Sequence, residues 1–319
     1  MSETRIRRAA VIGTGMMGPG IASRLACGGV ETTLVSRTEE SARKGLETAW
    51  GFLDQLEDHG LIEESTAGLA EEILHCTCSM ADALRGADLV LESVPEKLEL
   101  KQRLFAECEG MTSAETLLAS NTSGLSITAI AAQCARPERV ITTHFWNPPH
   151  LMPLVEIVRG ERTSPQAAPL LQELLRTCGF VPVLVNKDRP GQLGNRLQMA
   201  LVREAVHIVA EGIADAEAVD TAAKLGFGLR LPVYGILEHQ DMVGLELGFA
   251  VCDYVARDLN NQPAAPALYR QKIERGETGA KAGRGFHDWT EHQPEKVIER
   301  RNRFLLDLLQ RGLLKDYLR

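Results

Sequence analysis

Three short patches of this 319-residue chain carry side chains suited to proton transfer on a small molecule. "THFWNPPHLMPLVEIV" contains His144, Asn147, His150 and Glu156, with a proline-rich turn between two strand-like runs. A hairpin or sharp return at that turn would let His144 and Glu156 meet across twelve residues of chain. An imidazole held against a carboxylate can take up or release a proton near neutral pH. "ASNTSGLSI" places Asn121, Thr122 and Ser123 at the end of an apolar run, and "DRPGQLGNRL" places Asn195 near the start of a helical segment, facing an expected interdomain cleft.

A second kind of chemistry is written at the N-terminus. "VIGTGMMGPG" sets Gly13, Gly15 and Gly18 in the G-x-G-x-x-G pattern, directly after a strand and opening a helix. Gly13 permits the tight turn, Gly15 lets a pyrophosphate approach the backbone, and Gly18 allows close helix–strand packing, with the helix N-terminus facing the phosphates. The following strand would normally end in an acid that binds the adenosine ribose and repels a 2′-phosphate. Here it ends in Ser36 and Arg37. A hydroxyl and a guanidinium there favour NADP, with NAD as the alternative in which Arg37 stacks on adenine or is solvated.

These residues need a scaffold. "RRAAVIGTGMMGPGIASRLACGGVETTLVSR" alternates strand, glycine turn, helix and strand, a βαβ unit. Apolar runs recur at "ADLVLESV", "TLLASNTS", "RVITTHF" and "VPVLVNK", separated by helix-like segments over residues 98–109 and 165–178. That alternation predicts an α/β fold: an N-terminal Rossmann-type, doubly wound sheet over residues 1–188. A helical pair over residues 42–74 is expected as an insertion. From Gln192 the apolar spacing is helical, so residues 189–319 are expected to form an all-α domain for substrate and dimer contacts. In the last segment Val297, Ile298, Leu305, Leu308 and Leu309 fall largely on one helical stripe that can cover a core or a partner.

Composition narrows the class. A net charge of −8 argues against general nucleic-acid or anionic-membrane binding. No run of eighteen apolar residues and no signal-peptide pattern occurs, so a cytoplasmic location is expected. Seven scattered cysteines form no C-x-x-C pair or metal-ligand spacing, which predicts reduced core thiols and no metal.

Taken in order, "GTGMMGPG", "ESVPEKLELK", "SNTSGLSI", "HFWNPPHLMPLVEIV", "DRPGQLGNRL" and "GAKAGRGFHDW" resemble the L-3-hydroxyacyl-CoA dehydrogenase family over nearly the whole chain. The resemblance implies that His144 is the general base taking the substrate hydroxyl proton and that Glu156 orients its imidazole. It implies that Ser123 and Asn195 hydrogen-bond the reacting oxygen, that Asn147 belongs to the substrate site, and that Glu96 and Lys101 contact the cofactor. It also implies a homodimer.

Two departures bear on the substrate. Members acting on CoA thioesters carry serine and lysine in the inserted helices. Here "GFLDQLEDHGLIEESTAGLAEE" has Asp54, Glu57, Asp58, Glu63 and Glu64, with no lysine between Gly51 and Glu96. An acidic face is a poor partner for CoA phosphates. Arg230, after a Gly-Leu-rich turn, resembles the arginine of the branch acting on free hydroxy acids, which includes gulonate and carnitine dehydrogenases and λ-crystallin. An arginine fork there binds a carboxylate, unless Glu238 or Asp241 takes it in an ion pair. The expected function is hydride transfer between the hydroxyl of a small free 3-hydroxy acid and a nicotinamide. A short-chain 3-hydroxybutyryl-CoA dehydrogenase and a non-catalytic λ-crystallin-like protein are the alternatives. His150 and His239 are expected to support the site.

Overall fold

The structure is a computed structural model that describes residues 6–291, 293–312 and 317. Its strands are β1 (Arg8–Ile12), β2 (Glu31–Val35), β3 (Leu74–Thr77), β4 (Leu89–Glu92), β5 (Leu117–Ser120), β6 (Val140–Phe145), β7 (Leu154–Arg159) and β8 (Val181–Val185). Between them run α1 (Gly18–Cys27), α2 (Glu39–Asp58), α3 (Glu64–Glu72), α4 (Met80–Leu84), α5 (Leu98–Met111), α6 (Ile127–Ile130) and α7 (Ala167–Thr177). After β8 follow α8 (Gly194–Ala210), α9 (Ala216–Leu225), α10 (Ile236–Val243), α11 (Leu245–Val255), α12 (Ala267–Glu274) and α13 (Pro294–Gln310).

The eight strands form one sheet in the order β3-β2-β1-β4-β5-β6-β7-β8. Neighbours are parallel except β6 and β7, which are antiparallel. Every residue of β4, β5 and β6 is buried, as expected for strands covered on both faces. One core cluster joins Val11, Ile21, Leu25, Leu34 and Leu53, and the other joins Ala10, Val90, Phe105, Ile130 and Val140. Each fully buried leucine of this kind contributes about 1.5–3 kcal/mol relative to an exposed one.

The insertion is the helical pair α2 and α3, and it feeds the edge strand β3, which the apolar runs did not signal. β3 has only four residues, one of them buried, so its pattern is carried by pairing with β2. α2 starts where the Thr38 side chain accepts a hydrogen bond from the Ser41 N–H at 3.2 Å. It buries Ala42, Gly45, Ala49, Leu53 and Leu56 along one stripe.

The chain divides into two compact units. One runs to Asn195 and takes in the described chain from Asn302 on; the other spans Arg196–Arg301. The helical domain expected over residues 189–319 differs at its end, because α13 returns Leu306 to the first unit. Leu306 packs with Leu56 and Leu151 in a small cluster that Leu305 and Leu309 border. The 17-residue stripe is thus covered at one end, whereas Val297 and Ile298 stay exposed. The remaining residues of that final stretch, 313–316, 318 and 319, lie outside the described ones.

In the second unit, α9 to α12 contain no buried residue. Among the described residues it has isolated bridges at Gly279–Arg284 and Arg284–Asp288 and no strand. All seven cysteines are free; Cys108, Cys134 and Cys178 are buried, but Cys78 and Cys252 are exposed and do not belong to a core. No helix among the described residues is long and apolar enough to cross a membrane, and no metal-ligating cluster is found among them.

Candidate active site

The antiparallel register of β6 and β7 sets His144 directly opposite Glu156. Side chains of such a cross-strand pair lie on the same face of the sheet, so the hairpin alone brings the two together. His144 Nδ1 lies 2.7 Å from Glu156 Oε2, with both residues buried. That contact leaves Nε2 as the ring nitrogen available to a substrate.

Glu156 accepts three more hydrogen bonds. The backbone N–H groups of Leu193 and Gly194 donate to Oε1 at 2.9 and 2.8 Å, and the Trp146 indole Nε1–H donates to Oε2 at 3.2 Å. Burial pushes the Glu156 carboxyl up, but the bond from His144 and those from Gly194 and Leu193 outweigh it and hold the group below the ordinary carboxylate range. The carboxylate is therefore kept ionised and fixed in plane.

The linker after β8 is sewn to the loop that follows β5. Gln192 Nε2 donates to the Thr122 carbonyl at 2.7 Å, Asn195 Nδ2 to the Ser123 carbonyl at 2.8 Å, and the Ser126 hydroxyl to Asp188 at 2.6 Å. Asn121 ties the same loop to β6 by accepting from the Phe145 N–H at 2.9 Å. These bonds bring Ser123 and Asn195 together and place their loop beside the strand that carries His144. Among the described residues the Ser123 hydroxyl has no hydrogen-bond partner. Asn147 is exposed, with no side-chain partner among the described residues, and its bond to Pro148 is cis.

A second cluster of charge occupies the end of β4. Lys101 is 1% exposed, and its ammonium lies 2.6 Å from Glu92 and 3.2 Å from Glu96. Glu96 also accepts from the Thr122 hydroxyl at 2.5 Å and from the N–H groups of Ser123 and Gly124, both at 3.0 Å. Burial raises the Glu96 carboxyl, and Thr122 and Lys101 more than offset it, so the group lies below its ordinary value. Lys101, which the resemblance places at the cofactor, is enclosed and lies against Glu96, which is half-exposed.

The glycine loop has the shape its sequence requires. Gly13 has φ +111°, and a Cβ there would come 2.5 Å from the Ser93 carbonyl oxygen. A side chain on Gly18 would run into the Gly13 carbonyl, whereas Gly15 faces open space. The first turn of α1 has no side-chain cap, which leaves its N–H groups for a phosphate. Ser36 accepts a hydrogen bond from the Thr14 hydroxyl at 2.9 Å, and Arg37 is exposed, with no polar partner among the described residues. The loop therefore fits a dinucleotide.

In the second unit, Arg230 closes a short turn over Gly228–Arg230, and its guanidinium lies 5.9 Å from the Tyr234 ring. It makes no ion pair with Glu238 or Asp241; Glu238 accepts from the Gly235 N–H instead. His239 stacks on Tyr234, and His150, in the first unit, stacks on Phe52 at 3.8 Å and meets Gln55.

Sequence reasoning missed Trp146 and Glu92. The signal for Trp146 was its place two residues after His144, since alternate residues leaving a strand share a face. Glu92 opened the quoted "ESVPEKLELK" but reads from sequence as one surface acid among many.

The family model of the 3-hydroxyacyl-CoA dehydrogenase NAD-binding domain matches residues 8–189, and that of the C-terminal domain of the same family matches residues 191–289. The chain is 36% identical to 5-formyl-3-hydroxy-2-methylpyridine 4-carboxylate 5-dehydrogenase of Mesorhizobium japonicum, covering 94% of this chain and 96% of that one. It is 32% identical to L-carnitine dehydrogenase of Bacillus cereus, over 99% and 95% of the two chains. A solved structure of 5-formyl-3-hydroxy-2-methylpyridine 4-carboxylic acid 5-dehydrogenase, described as an NAD+ dependent dismutase, superposes with a TM-score of 0.89 at 34% identity, covering 97% of this chain and 98% of that one.

Proposed function

The chain belongs to the 3-hydroxyacyl-CoA dehydrogenase family and carries its NAD-binding domain, and from that premise we propose that this oxidoreductase works on the hydroxyl of a small free hydroxy acid. The observation that carries this reading is the buried His144–Glu156 pair, with one imidazole nitrogen left open. In the oxidative direction His144 Nε2 accepts the hydroxyl proton, while Glu156 holds the ring in one tautomer and stabilises the imidazolium. Ser123 and Asn195 hydrogen-bond the reacting oxygen, and Asn147 borders the same substrate. Gly13, Gly15 and Gly18 would hold the dinucleotide, whose nicotinamide would accept the hydride. Glu96, positioned by Lys101, meets the cofactor.

The substrate carries a free carboxylate in this reading. Asp54, Asp58, Glu63 and Glu64 are exposed on the inserted helices and form no ion pair among the described residues, so that face repels CoA phosphates. Arg230 is an unpaired guanidinium suited to a carboxylate. The names of the relatives add a carboxylated formyl pyridine and carnitine as probes. Assays of 3-hydroxy acids, these two compounds and acetoacetyl-CoA, each with NAD and NADP, test the proposal. Turnover of a free acid with little on the thioester is expected; efficient thioester turnover overturns it in favour of a 3-hydroxybutyryl-CoA dehydrogenase.

NAD is the cofactor of the family domain, and the free Arg37 beside Ser36 supports acceptance of a 2′-phosphate as well. A homodimer is supported by the helical unit, where Leu245, Phe249 and Tyr254 are 63%, 73% and 82% exposed on or beside one apolar helix. Light scattering on the eluted protein should give twice the chain mass, and a stable monomer removes this part. Seven unpaired cysteines suit a reducing compartment such as the cytoplasm.

A further inference from the structure

We infer that Trp146 is a positioning residue that tunes the proton affinity of His144 through Glu156. The proposal rests on the His144–Glu156 reading above and goes one residue beyond it. Oε2 of Glu156 is shared: it receives His144 Nδ1 at 2.7 Å and the Trp146 indole N–H at 3.2 Å. A donor on a shared carboxylate oxygen draws off negative charge that would otherwise stabilise the imidazolium. The two rings are tilted to one another, with centroids 5.5 Å apart. The shared oxygen therefore favours neutral His144, the form that accepts a proton.

The indole is held for this contact. A side chain at residue 194 would collide with its ring, so Gly194 both donates to Oε1 through its N–H and leaves room for Trp146. Phenylalanine at residue 146 would fill most of that space and supply no donor. Charged groups on the surrounding elements do not compete for the pair. Glu92 on β4 and Glu96 after it are engaged by Lys101 of α5, and Asp188 on the linker is occupied by Ser126 and the Thr128 N–H. Arg159 at the end of β7 and Lys187 after β8 form no ion pair among the described residues, and each is the same in parent and variant, so it cancels in the comparison.

The test is Trp146→Phe beside the parent protein. The acid limb of the kcat/KM profile for hydroxy-acid oxidation should move up by roughly half to one pH unit. The histidine ¹⁵N titration assigned by its loss in His144→Ala should move with it. The parent supplies an independent measurement: of its three tryptophans, one indole N–H resonance should titrate together with His144. An unchanged limb and His144 titration in a folded Trp146→Phe protein overturn the proposal, as does an indole spectrum insensitive to that titration if the variant does not fold. Undiminished turnover by His144→Ala instead overturns the catalytic reading, and the resonance titrations still decide the Trp146 contact.

Discussion

Glu92 and Glu156 are both 1% exposed in one sheet, and they differ in what faces them. Glu92 meets an ammonium at 2.6 Å, the Ser120 hydroxyl at 2.6 Å and the Val94 N–H at 2.6 Å. Glu156 meets an imidazole, an indole and two backbone N–H groups. In the first centre Lys101 lies within ion-pair distance of both Glu92 and Glu96, bracing the end of β4 and orienting Glu96. An imidazole gains and loses its charge near neutral pH, so the second can cycle. Similar burial and similar hydrogen-bond saturation thus give a brace in one place and a proton-transfer pair in the other. Breaking each should produce a different kind of damage.

The largest effect is expected at the pair that cycles. His144→Ala should lower kcat by roughly 10²–10⁴-fold, the range for losing a positioned acid–base group, while NAD still binds. Cofactor titration by fluorescence alongside steady-state kinetics checks both halves. Loss of NAD affinity in step with kcat would make the pair a brace like the other one.

Lys101→Met should act the other way, on stability first. It leaves Glu92 buried and uncompensated, a change that costs about 3–5 kcal/mol, to be read from chemical denaturation. Adding Glu92→Leu should recover much of that loss, because an apolar pair of similar volume is often as stable as a buried ion pair. KM for NAD should stay raised in the double variant, since Glu96 has lost its support. Recovery of both would show that Glu96 does not need Lys101.

Acid sharpens the comparison further. Glu156 and Glu96 both lie below their ordinary carboxylate values in the folded protein. Groups shifted in that direction contribute stability that is fully present above the unfolded value and is lost as pH falls through the folded one. Stability should therefore decline below the ordinary carboxylate range. Glu156→Gln should flatten part of that decline while lowering turnover at neutral pH. Denaturation midpoints measured from neutrality into acid test this; an unchanged slope in Glu156→Gln would place the acid sensitivity elsewhere.

Much of this arrangement was legible in the chain. The βαβ glycine loop, the apolar runs of the central strands and the proline-rich return between His144 and Glu156 each carry a local pattern that topology preserves. β3 was not legible because four residues at a sheet edge with one buried position offer no period. The enclosure of Lys101 was hidden because burial of a lysine depends on two acids, Glu92 and Glu96, that arrive from another element. The roles of Leu193 and Gly194 lie in backbone N–H groups, which no side-chain pattern encodes. The return of Leu306 to α2 depends on a contact about 250 residues away in sequence.

The smallest effect is expected where charge is exposed, at the end of β2. Ser36 is engaged by Thr14, and the Arg37 guanidinium has no partner among the described residues, so the region lacks the saturation of either buried centre. Ser36→Asp puts a carboxylate where the ribose 2′ position of the dinucleotide would lie, and repulsion at a solvated site amounts to ~1–4 kcal/mol at 4 Å. The ratio of kcat/KM for NADP to that for NAD should therefore fall by about tenfold or more, chiefly through KM for NADP. Arg37→Ala should lower the same ratio by less, and raising the salt concentration should shrink its effect because the guanidinium is exposed. If neither substitution moves the ratio, the end of β2 does not read the 2′ position, and Ser36 serves the fold alone by tying β2 to the glycine loop through Thr14.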